Sequence, residues 1–495
     1  MNTQSLTALS RKALARVPTA AWVCALLAFV NAACWSLITP PFQSPDEPDH
    51  FAYVQLLAET GDLPSSGLEG YSQEEHYILH DLDQSLIRFR PQAHTISSRA
   101  QFAELQHDLA APLSRRGNGG TGLSATEPPL YYALETVPYE IGSSGSLLDR
   151  LELMRLLSAV MGGIAALFGF LFLREALPGV RWAWTVGGLG VALSPLLGAI
   201  AGSVNPDAML CAVCAALFYC LARAFRRGLS QRSAIGIGAL IALGFVTKLN
   251  FIGLAPGAIL GLILLTCRAS RVRGSQVWYR WLAPALLVAL APGLLYGLVN
   301  LFSGHAAFGV VSGGASDLTN SHSSIGAELS YIWQFYLPRL PWMHSDFGDI
   351  FTTRQIWFKD LVGLYGWSDT VFPGWVYDVA LIPAALIAIL CIRELFVERT
   401  VLRGRVAELI TYALTTVGVL VLVAADGYLE FPAALASYAE PRYVLPMIAL
   451  WGAVLALAAR GGGRRWGPLV GVLIVVVVIA HDLFSQLQVI ARFYG

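Results

Sequence analysis

Long apolar stretches separated by short polar segments make up most of this chain. A helix needs about 20 residues to cross the hydrocarbon core of a bilayer, and eleven stretches are close to this length. The region 233–267 is interrupted at Lys248-Leu249-Asn250, so it predicts either two spans or one re-entrant element. The pattern predicts an all-α polytopic membrane protein with spans at 19–39, 151–173, 182–202, 206–223, 233–247, 250–267, 281–302, 377–396, 406–425, 442–459 and 467–488.

Two polar segments are too long to be plain connectors, and they cover residues 40–150 and 303–376. Within the first, the spacing of apolar residues predicts helices at 49–60, 74–90, 99–109 and 130–141. The last two are amphipathic enough to lie on the membrane surface. The glycine-rich stretch 117–122 follows no strand, so it predicts a flexible loop rather than a phosphate cradle.

The composition indicates the domain organisation, and the distribution of charge indicates the orientation of the chain in the membrane. Only 13% of the residues are charged and 55% are hydrophobic, so we expect a single transmembrane domain over 1–495 and no separate soluble domain. The net charge of zero gives no electrostatic reason to expect a nucleic-acid partner. Arginines concentrate in alternate short loops, which predicts a cytoplasmic N-terminus, an outside C-terminus and two long loops outside the inner (plasma) membrane.

A dense group of ionisable residues follows the first span, in Pro40-Pro41-Phe42-Gln43-Ser44-Pro45-Asp46-Glu47-Pro48-Asp49-His50. Ser44 and Glu47 have the spacing of a capping box, with Pro45 at the first helical position, which gives a structural interpretation. Capping explains one or two acids, but not three carboxylates and an imidazole beside a bilayer. The alternative is that Asp46 or Glu47 is a general base whose pKa depends on partial desolvation.

Two further groups lie on the same predicted side. Glu127 precedes Pro128-Pro129-Leu130-Tyr131-Tyr132, where the prolines start a helix and the tyrosines suit an anchor at the membrane interface. Asn205-Pro206-Asp207 lies between the third and fourth spans, where Asn205 has the position of a helix cap. Neither structural interpretation accounts for Asp207, a carboxylate in a tight turn.

Three cations lie where the charge pattern otherwise excludes them. Lys248 interrupts the apolar region 245–252, Arg442 opens the tenth span, and Arg155 lies near the outer start of the second. A lysine can reach the interface along its own aliphatic stem, which is the structural interpretation of Lys248. An ionisable group in such a place is otherwise a functional hypothesis, and these cations predict an anionic partner, a carboxylate or a phosphate.

The evidence for a metal site is weak. His76 and His80 lie one helical turn apart with Glu75 and Asp81 nearby, but Glu75 lies outside the pair and the spacing is not that of a zinc-protease motif. We therefore interpret these side chains as a solvated helix face. The sequence gives no certain cofactor, and a divalent metal stays possible only through the resemblance described next.

The motifs taken together resemble the GT-C superfamily of membrane glycosyltransferases, and more closely a family of predicted bacterial membrane proteins of unknown function. One departure is Ala439-Glu440-Pro441, where a small residue or glycine is expected before Arg442. The matching pieces run in family order: Pro45-Asp46-Glu47-Pro48-Asp49-His50, Pro128-Pro129-Leu130-Tyr131-Tyr132, Asn205-Pro206-Asp207, Thr247-Lys248 and Pro441-Arg442-Tyr443 with Pro446.

The resemblance implies a GT-C-like helical bundle that uses a polyprenyl-phosphate-linked sugar as donor and a glycan, lipid or protein outside the cell as acceptor. It implies an acidic base in the first outer loop, inversion at the anomeric carbon and, in some relatives, a divalent metal. A single displacement needs one base, here Asp46 or Glu47, and cations for the departing phosphate, here Lys248 and Arg442. The other candidates for substrate binding are Arg155, His50, Glu127, Asn205, Asp207 and Tyr443.

A lipid or glycan transporter or flippase is the main alternative. It would favour inverted repeats, broken helices and charges near the bilayer midplane. The sequence shows no internal repeat, and its charges gather at one predicted face. A ligase or polymerase of surface glycans is a second enzymatic alternative, and a non-catalytic scaffold fits the clustered charges least well.

Overall fold

The computed structural model describes residues 17–64, 70–91, 93, 99–121, 124–125, 127–302, 325–344, 354–430 and 441–494. Parts of the motifs and loops discussed above lie outside these ranges: Gly122, Ala439, Glu440 and the parts 303–324 and 345–353 of the second long loop.

Helices account for nearly all of the regular structure. The short exceptions are a two-stranded antiparallel hairpin, β1 (Leu364–Tyr365) and β2 (Thr370–Val371), π-helical turns at Trp278–Leu282 and Arg354–Lys359, and a 3₁₀ segment at Pro441–Met447. The α-helices are α1 Thr19–Ile38, α2 Glu47–Thr60, α3 Gln73–Asp81, α4 Gln84–Ile87, α5 Arg99–Ala110, α6 Leu130–Ile141, α7 Leu147–Ala176, α8 Arg181–Ala192, α9 Pro195–Ala201, α10 Pro206–Arg227, α11 Gln231–Thr247, α12 Phe251–Arg273, α13 Ala283–Phe302, α14 Ile325–Tyr336, α15 Asp360–Gly363, α16 Gly374–Val397, α17 Arg399–Arg403, α18 Val406–Glu430, α19 Ile448–Gly461 and α20 Gly463–Tyr494.

The prediction of an all-α polytopic membrane protein is confirmed. Among the described residues nine helices are long and apolar enough to cross a membrane, and the bent pair α8–α9 makes up to ten. The predicted span 182–202 is bent by 49° because Pro195 cannot continue the helix and Ser194 caps a new one. The predicted span 233–247 corresponds to α11, an apolar helix of 17 residues that ends at Lys248.

Small residues let the spanning helices pack closely. A Cβ on Gly187 of α8 would lie 2.3 Å from the carbonyl oxygen of Gly452 in α19. A Cβ on Gly418 of α18 would lie 2.1 Å from the carbonyl oxygen of Gly253 in α12. Lipid tails are as apolar as the helices, so such close backbone contact, rather than burial from water, holds membrane bundles together.

The two ends of the bundle differ in chemistry. At one end, here called the arginine end, the buried Glu175 of α7 pairs with Arg226 at 3.2 Å and Arg227 at 2.5 Å. These contacts join the end of α10 to the end of α7. The opposite end, here called the loop end, carries the helices α2–α6 and the hairpin β1–β2.

Helix α6 lies against the bundle with two different faces. Its tyrosines are fully buried, whereas Leu134, Val137 and Ile141 are exposed. An exposed apolar face on a helix next to the spans suits the membrane surface, as predicted. The interpretation of Tyr131 and Tyr132 as an interfacial anchor is wrong, because both rings are 0% exposed within the protein.

Candidate functional site

The turn between α1 and α2 directs the side chains of Asp46 and Glu47, the two predicted catalytic carboxylates, toward different partners. Phe42 and Asp46 have left-handed backbone conformations, with φ of 62° and 60°. Asp46 occupies the position before α2, and no side-chain cap forms there. The predicted capping box of Ser44 and Glu47 is therefore wrong. A left-handed residue with a Cβ is strained, and such strain clusters at functional sites.

Glu47 points into the protein and is fully buried. Its carboxylate accepts two hydrogen bonds from Arg155, at 2.8 and 2.6 Å. It also accepts the backbone N–H groups of Phe42 at 3.0 Å and Val204 at 3.1 Å. Four charge-assisted bonds fix this carboxylate in place.

Arg155 completes a structural clamp. Besides Glu47, its guanidinium donates to the carbonyl oxygens of Ser36, Thr39 and Pro40, which end helix α1. Carbonyls at the end of a helix have no partner within the helix and need an outside donor. The Glu47–Arg155 pair thus joins the end of α1, the start of α2 and helix α7.

Removing one partner of this clamp should destabilise the fold. We expect Arg155→Met to lower the free energy of unfolding by about 3–5 kcal/mol, because the Glu47 charge would stay buried without its cation. The double variant Arg155→Met, Glu47→Gln should recover part of this loss. Thermal unfolding in detergent measures both, and a wild-type melting temperature in the single variant would contradict the structural role.

Asp46 faces the other way. Its side chain is 29% exposed and forms a 2.5 Å ion pair with Nη2 of Arg442. Burial, the largest single effect, raises the pKa of Asp46, but the lowering effects of its charged surroundings together outweigh it, and the positive charge of Arg442 is the first of these. The pKa of Asp46 therefore lies below its ordinary value, and the carboxylate is ionised at neutral pH.

Lys248 forms a second ion pair close by. Its Nζ donates to Oδ2 of Asp207 at 2.9 Å, and both side chains are buried. Asn205 accepts the backbone N–H of Asp207 at 2.9 Å, so it caps α10 as the structural interpretation expected. Asp207 is thereby held in place by the start of α10 and aimed at Lys248.

Tyr443 links the two ion pairs. The Lys248 ammonium lies 5.5 Å from the centre of its ring, and the Arg442 guanidinium lies 5.4 Å from the same centre. Cations within about 6 Å of an aromatic face are attracted to it. Two predicted cations, 194 positions apart in the sequence, therefore meet at one ring, each paired with a carboxylate.

Glu127 and His50 lie at the edge of this group. Glu127 accepts the backbone N–H of Leu249 at 3.3 Å, next to Lys248, and burial raises its pKa above the ordinary value. Burial lowers the pKa of His50 to about 3, so the imidazole is neutral at physiological pH. Its Nδ1 shares hydrogen bonds with Tyr132 at 3.0 Å and Ser124 at 3.2 Å.

The carboxylate of Asp49 forms hydrogen bonds with Thr121 in the loop before α6. It accepts the backbone N–H of Thr121 at 2.6 Å and the Thr121 hydroxyl at 2.7 Å. A Cβ on Gly120, which has φ of 87°, would lie 2.5 Å from Oδ1 of Asp49. The predicted flexible loop at 117–122 is therefore packed against α2 as far as Thr121.

The arrangement does not fit a divalent metal. Among the described residues no group of three or more His, Cys, Asp or Glu side chains is placed to hold one. The carboxylates of Asp46 and Asp207 are each directed at a cation, which would repel a metal ion.

Comparison with known sequences gives the family. A family profile described as "Predicted membrane protein (DUF2142)" matches residues 29–451. The chain belongs to this DUF2142 family. None of the curated proteins searched matches it significantly. The motifs in which the resemblance was recognised, from Pro45 to Pro446, all lie within the part matched by the DUF2142 profile.

Several solved GT-C glycosyltransferases are similar in shape to this DUF2142 protein. ArnT from Cupriavidus metallidurans in the apo state has 14% identity and a TM-score of 0.44, with 94% of this chain and 75% of that chain covered. ArnT bound to undecaprenyl phosphate has 13% identity and a TM-score of 0.43, with the same coverage. Archaeal oligosaccharyltransferase AglB from Archaeoglobus fulgidus, in complex with an inhibitory peptide and a dolichol-phosphate, has 11% identity and a TM-score of 0.46. That alignment covers 96% of this chain but only 56% of AglB.

Sequence reasoning missed the partners in this DUF2142 protein rather than the charged groups themselves. It did not predict that Arg155 would pair with Glu47, which is 108 positions away, or that Tyr132 and Ser124 would bind His50. Their local sequence carries no signal for these contacts, because each joins separate elements. Tyr443 was a candidate only through the resemblance of the Pro441-Arg442-Tyr443 segment, and its position next to both cations was not predicted.

Proposed function

We propose that this protein transfers a glycosyl group from a polyprenyl-phosphate-linked donor to an acceptor on the extracytoplasmic side of the plasma membrane. The acceptor is a glycan, lipid or protein, and the anomeric carbon is inverted. The observation that carries the proposal is the group formed by Asp46, Arg442, Lys248 and Asp207 around Tyr443. It combines a partly exposed carboxylate with two cations at the loop end of a membrane bundle.

Asp46 is the better candidate for the general base. Glu47 accepts four hydrogen bonds and is 0% exposed, so it has neither access to an acceptor nor a lone pair to spare. Asp46 has an exposed edge and a single pairing with Arg442 among the bonds described above. In the reaction Asp46 accepts the proton of the acceptor hydroxyl while that oxygen bonds to the anomeric carbon. The bond from the anomeric carbon to the phosphate oxygen breaks in the same step.

Arg442 and Lys248 would stabilise the departing polyprenyl phosphate. The ammonium has three N–H donors and the guanidinium has five, so each can hold a carboxylate and a phosphate oxygen together. When the donor phosphate binds Arg442, its negative charge offsets the positive charge that lowers the pKa of Asp46. Donor binding would thereby raise the basicity of Asp46 at the moment when a base is needed.

Transport is the second candidate, because one structural feature favours it. The bend of 49° between α8 and α9 resembles the discontinuous helices that transporters use. Proteoliposomes that contain a lipid-linked sugar but no acceptor distinguish the two functions. Movement of that lipid across the membrane would support a transporter, whereas a need for acceptor and the release of polyprenyl phosphate would support a transferase.

The sidedness can be tested independently of activity. We expect reporter fusions after Arg227 and Arg464 to report the cytoplasm, because both follow the arginine-rich loops. A fusion near Ser316, which lies outside the described residues, should report the outside. A cytoplasmic signal at Ser316 would place the loop end in the cytoplasm and contradict the proposed side of the site.

A further inference from the structure

An open pocket with about 650 Å³ of empty space, part of which is bulk solvent, lies beside the Asp46–Arg442 pair at the loop end. Pro45 and Arg442 both line it, so it begins one residue from the proposed base. One wall is aromatic and contains Trp35 and Tyr365, whose rings lie 5.0 Å apart. The lining also includes the polar side chains of Gln43, Asp360 and Thr370.

The amide of Gln43 has no hydrogen-bond partner in the part of the chain that the structure describes. The side chain is only 1% exposed, and neither its nitrogen nor its oxygen has a hydrogen-bond partner among the described residues. A buried amide without partners costs free energy, and nearly all buried polar groups in folded proteins are paired. Gln43 lines the pocket, so a ligand there that brings both a donor and an acceptor would satisfy its amide.

The aromatic wall is held rigidly. The indole N–H of Trp35 donates to Asp482 at 3.2 Å, and the hydroxyl of Tyr365 shares a hydrogen bond with Ser485 at 2.7 Å. Both partners belong to α20, so the last helix fixes the ring positions before any ligand arrives. Fixed aromatic rings and a few placed polar groups are what a small-molecule site requires.

From this combination we infer that the cavity binds a sugar ring, with Gln43 as a residue that determines its specificity. The inference rests on the proposed function and names the site for the sugar. A sugar ring has an apolar C–H face for the rings of Trp35 and Tyr365, and hydroxyls that both donate to and accept from an amide. A polyprenyl chain would fit the aromatic wall but would leave Gln43 without partners. The sugar belongs either to the donor or to the acceptor.

Binding can be measured without turnover. The full-length protein in lipid nanodiscs is tested by saturation-transfer NMR with the methyl glycosides of glucose, galactose, mannose and N-acetylglucosamine. At least one should bind, and Gln43→Leu should weaken its binding by about tenfold, the effect of losing a pair of neutral hydrogen bonds. Gln276→Leu is the matched control, because Gln276 is exposed and lies away from the cavity.

The melting temperatures of the same variants show whether a loss of glycoside binding is caused by a loss of folded protein. Gln43→Leu removes a buried amide that has no partner, so the ligand-free protein should melt at the same temperature or higher. If Gln43→Leu does not yield folded protein, Gln43→Met provides the same test with a more flexible side chain. Glycoside binding that is unchanged in the folded variant, or the absence of binding by all four glycosides to the unaltered protein, overturns the assignment.

Two further measurements show whether the sugar belongs to the donor or the acceptor. They also distinguish failure of the cavity assignment from failure of the proposed function. Undecaprenyl phosphate linked to the sugar that binds should displace the glycoside if the cavity holds the donor sugar, and should leave it bound if the cavity holds the acceptor. Undecaprenyl phosphate alone is tested on the same preparations. If undecaprenyl phosphate binds but glycoside binding is the same in Gln43→Leu as in the wild type, the cavity assignment is wrong and the proposed function stands. If neither probe binds, both are wrong.

Discussion

Asp46→Asn should lower the rate of glycosyl transfer by about 10²–10⁴-fold, the usual contribution of a general base. Asparagine has nearly the same shape but cannot accept the proton of the acceptor hydroxyl. Because Asp46 is partly exposed and lies in a turn, the variant should fold and keep the melting temperature of the wild type within a few degrees. Release of polyprenyl phosphate from a lipid-linked donor, per folded molecule, measures the effect.

Two controls make this test specific. Asp62→Asn removes an exposed carboxylate from the same loop and should leave the rate unchanged. Glu47→Gln should instead reduce the yield of folded protein, since it weakens the clamp with Arg155. An Asp46→Asn variant with full activity would show that the base lies elsewhere, and Glu127 and Asp207 would be the next carboxylates to test.

The sequence predicted the helices well because their causes are local. Helix α2 was expected at 49–60 and runs Glu47–Thr60, and α6 was expected and found at 130–141. Periodic apolar residues, prolines at helix starts and polar breaks act within a few turns and can be seen in one sequence. The bend at Ser194 was missed, although Pro195 marks it, because hydrophobicity over 182–202 is continuous.

The site was predicted as a set of residues but not as a set of contacts. Asp46 and Glu47 are neighbours in sequence, yet one is part of a buried clamp and the other faces Arg442. The left-handed backbone at Asp46 separates them, and a single sequence carries no signal for that conformation at a non-glycine residue. For the same reason the unpartnered amide of Gln43 could be found only from the packed structure.

Lys248→Ala and Arg442→Ala should each weaken the binding of undecaprenyl phosphate by about 10- to 100-fold. This corresponds to the loss of one charge-assisted hydrogen bond or a pair of them. Arg442→Lys should restore only part of the affinity, because the planar fork of the guanidinium is lost. Binding is measured in nanodiscs by native mass spectrometry. Lys359→Ala is the matched control for Lys248, since Lys359 also lies 5.5 Å from a tyrosine ring, that of Tyr377. Arg88→Ala serves likewise for Arg442, because Arg88 lies 4.1 Å from the ring of Trp367.

Phosphate binding by Asp46→Asn decides whether the two ion pairs form a phosphate site or only stabilise the fold. In the structure each cation already holds a carboxylate, which is a sufficient structural explanation for its presence. If the donor phosphate competes with Asp46 for Arg442, then Asp46→Asn should bind undecaprenyl phosphate more tightly than the wild type, although it transfers sugar far more slowly. If the pair is purely structural and the phosphate binds elsewhere, Asp46→Asn should not bind undecaprenyl phosphate more tightly than the wild type. Unchanged or weaker phosphate binding in Asp46→Asn, together with unchanged binding in Lys248→Ala, would therefore remove the phosphate from this site and leave two salt bridges that only stabilise the fold.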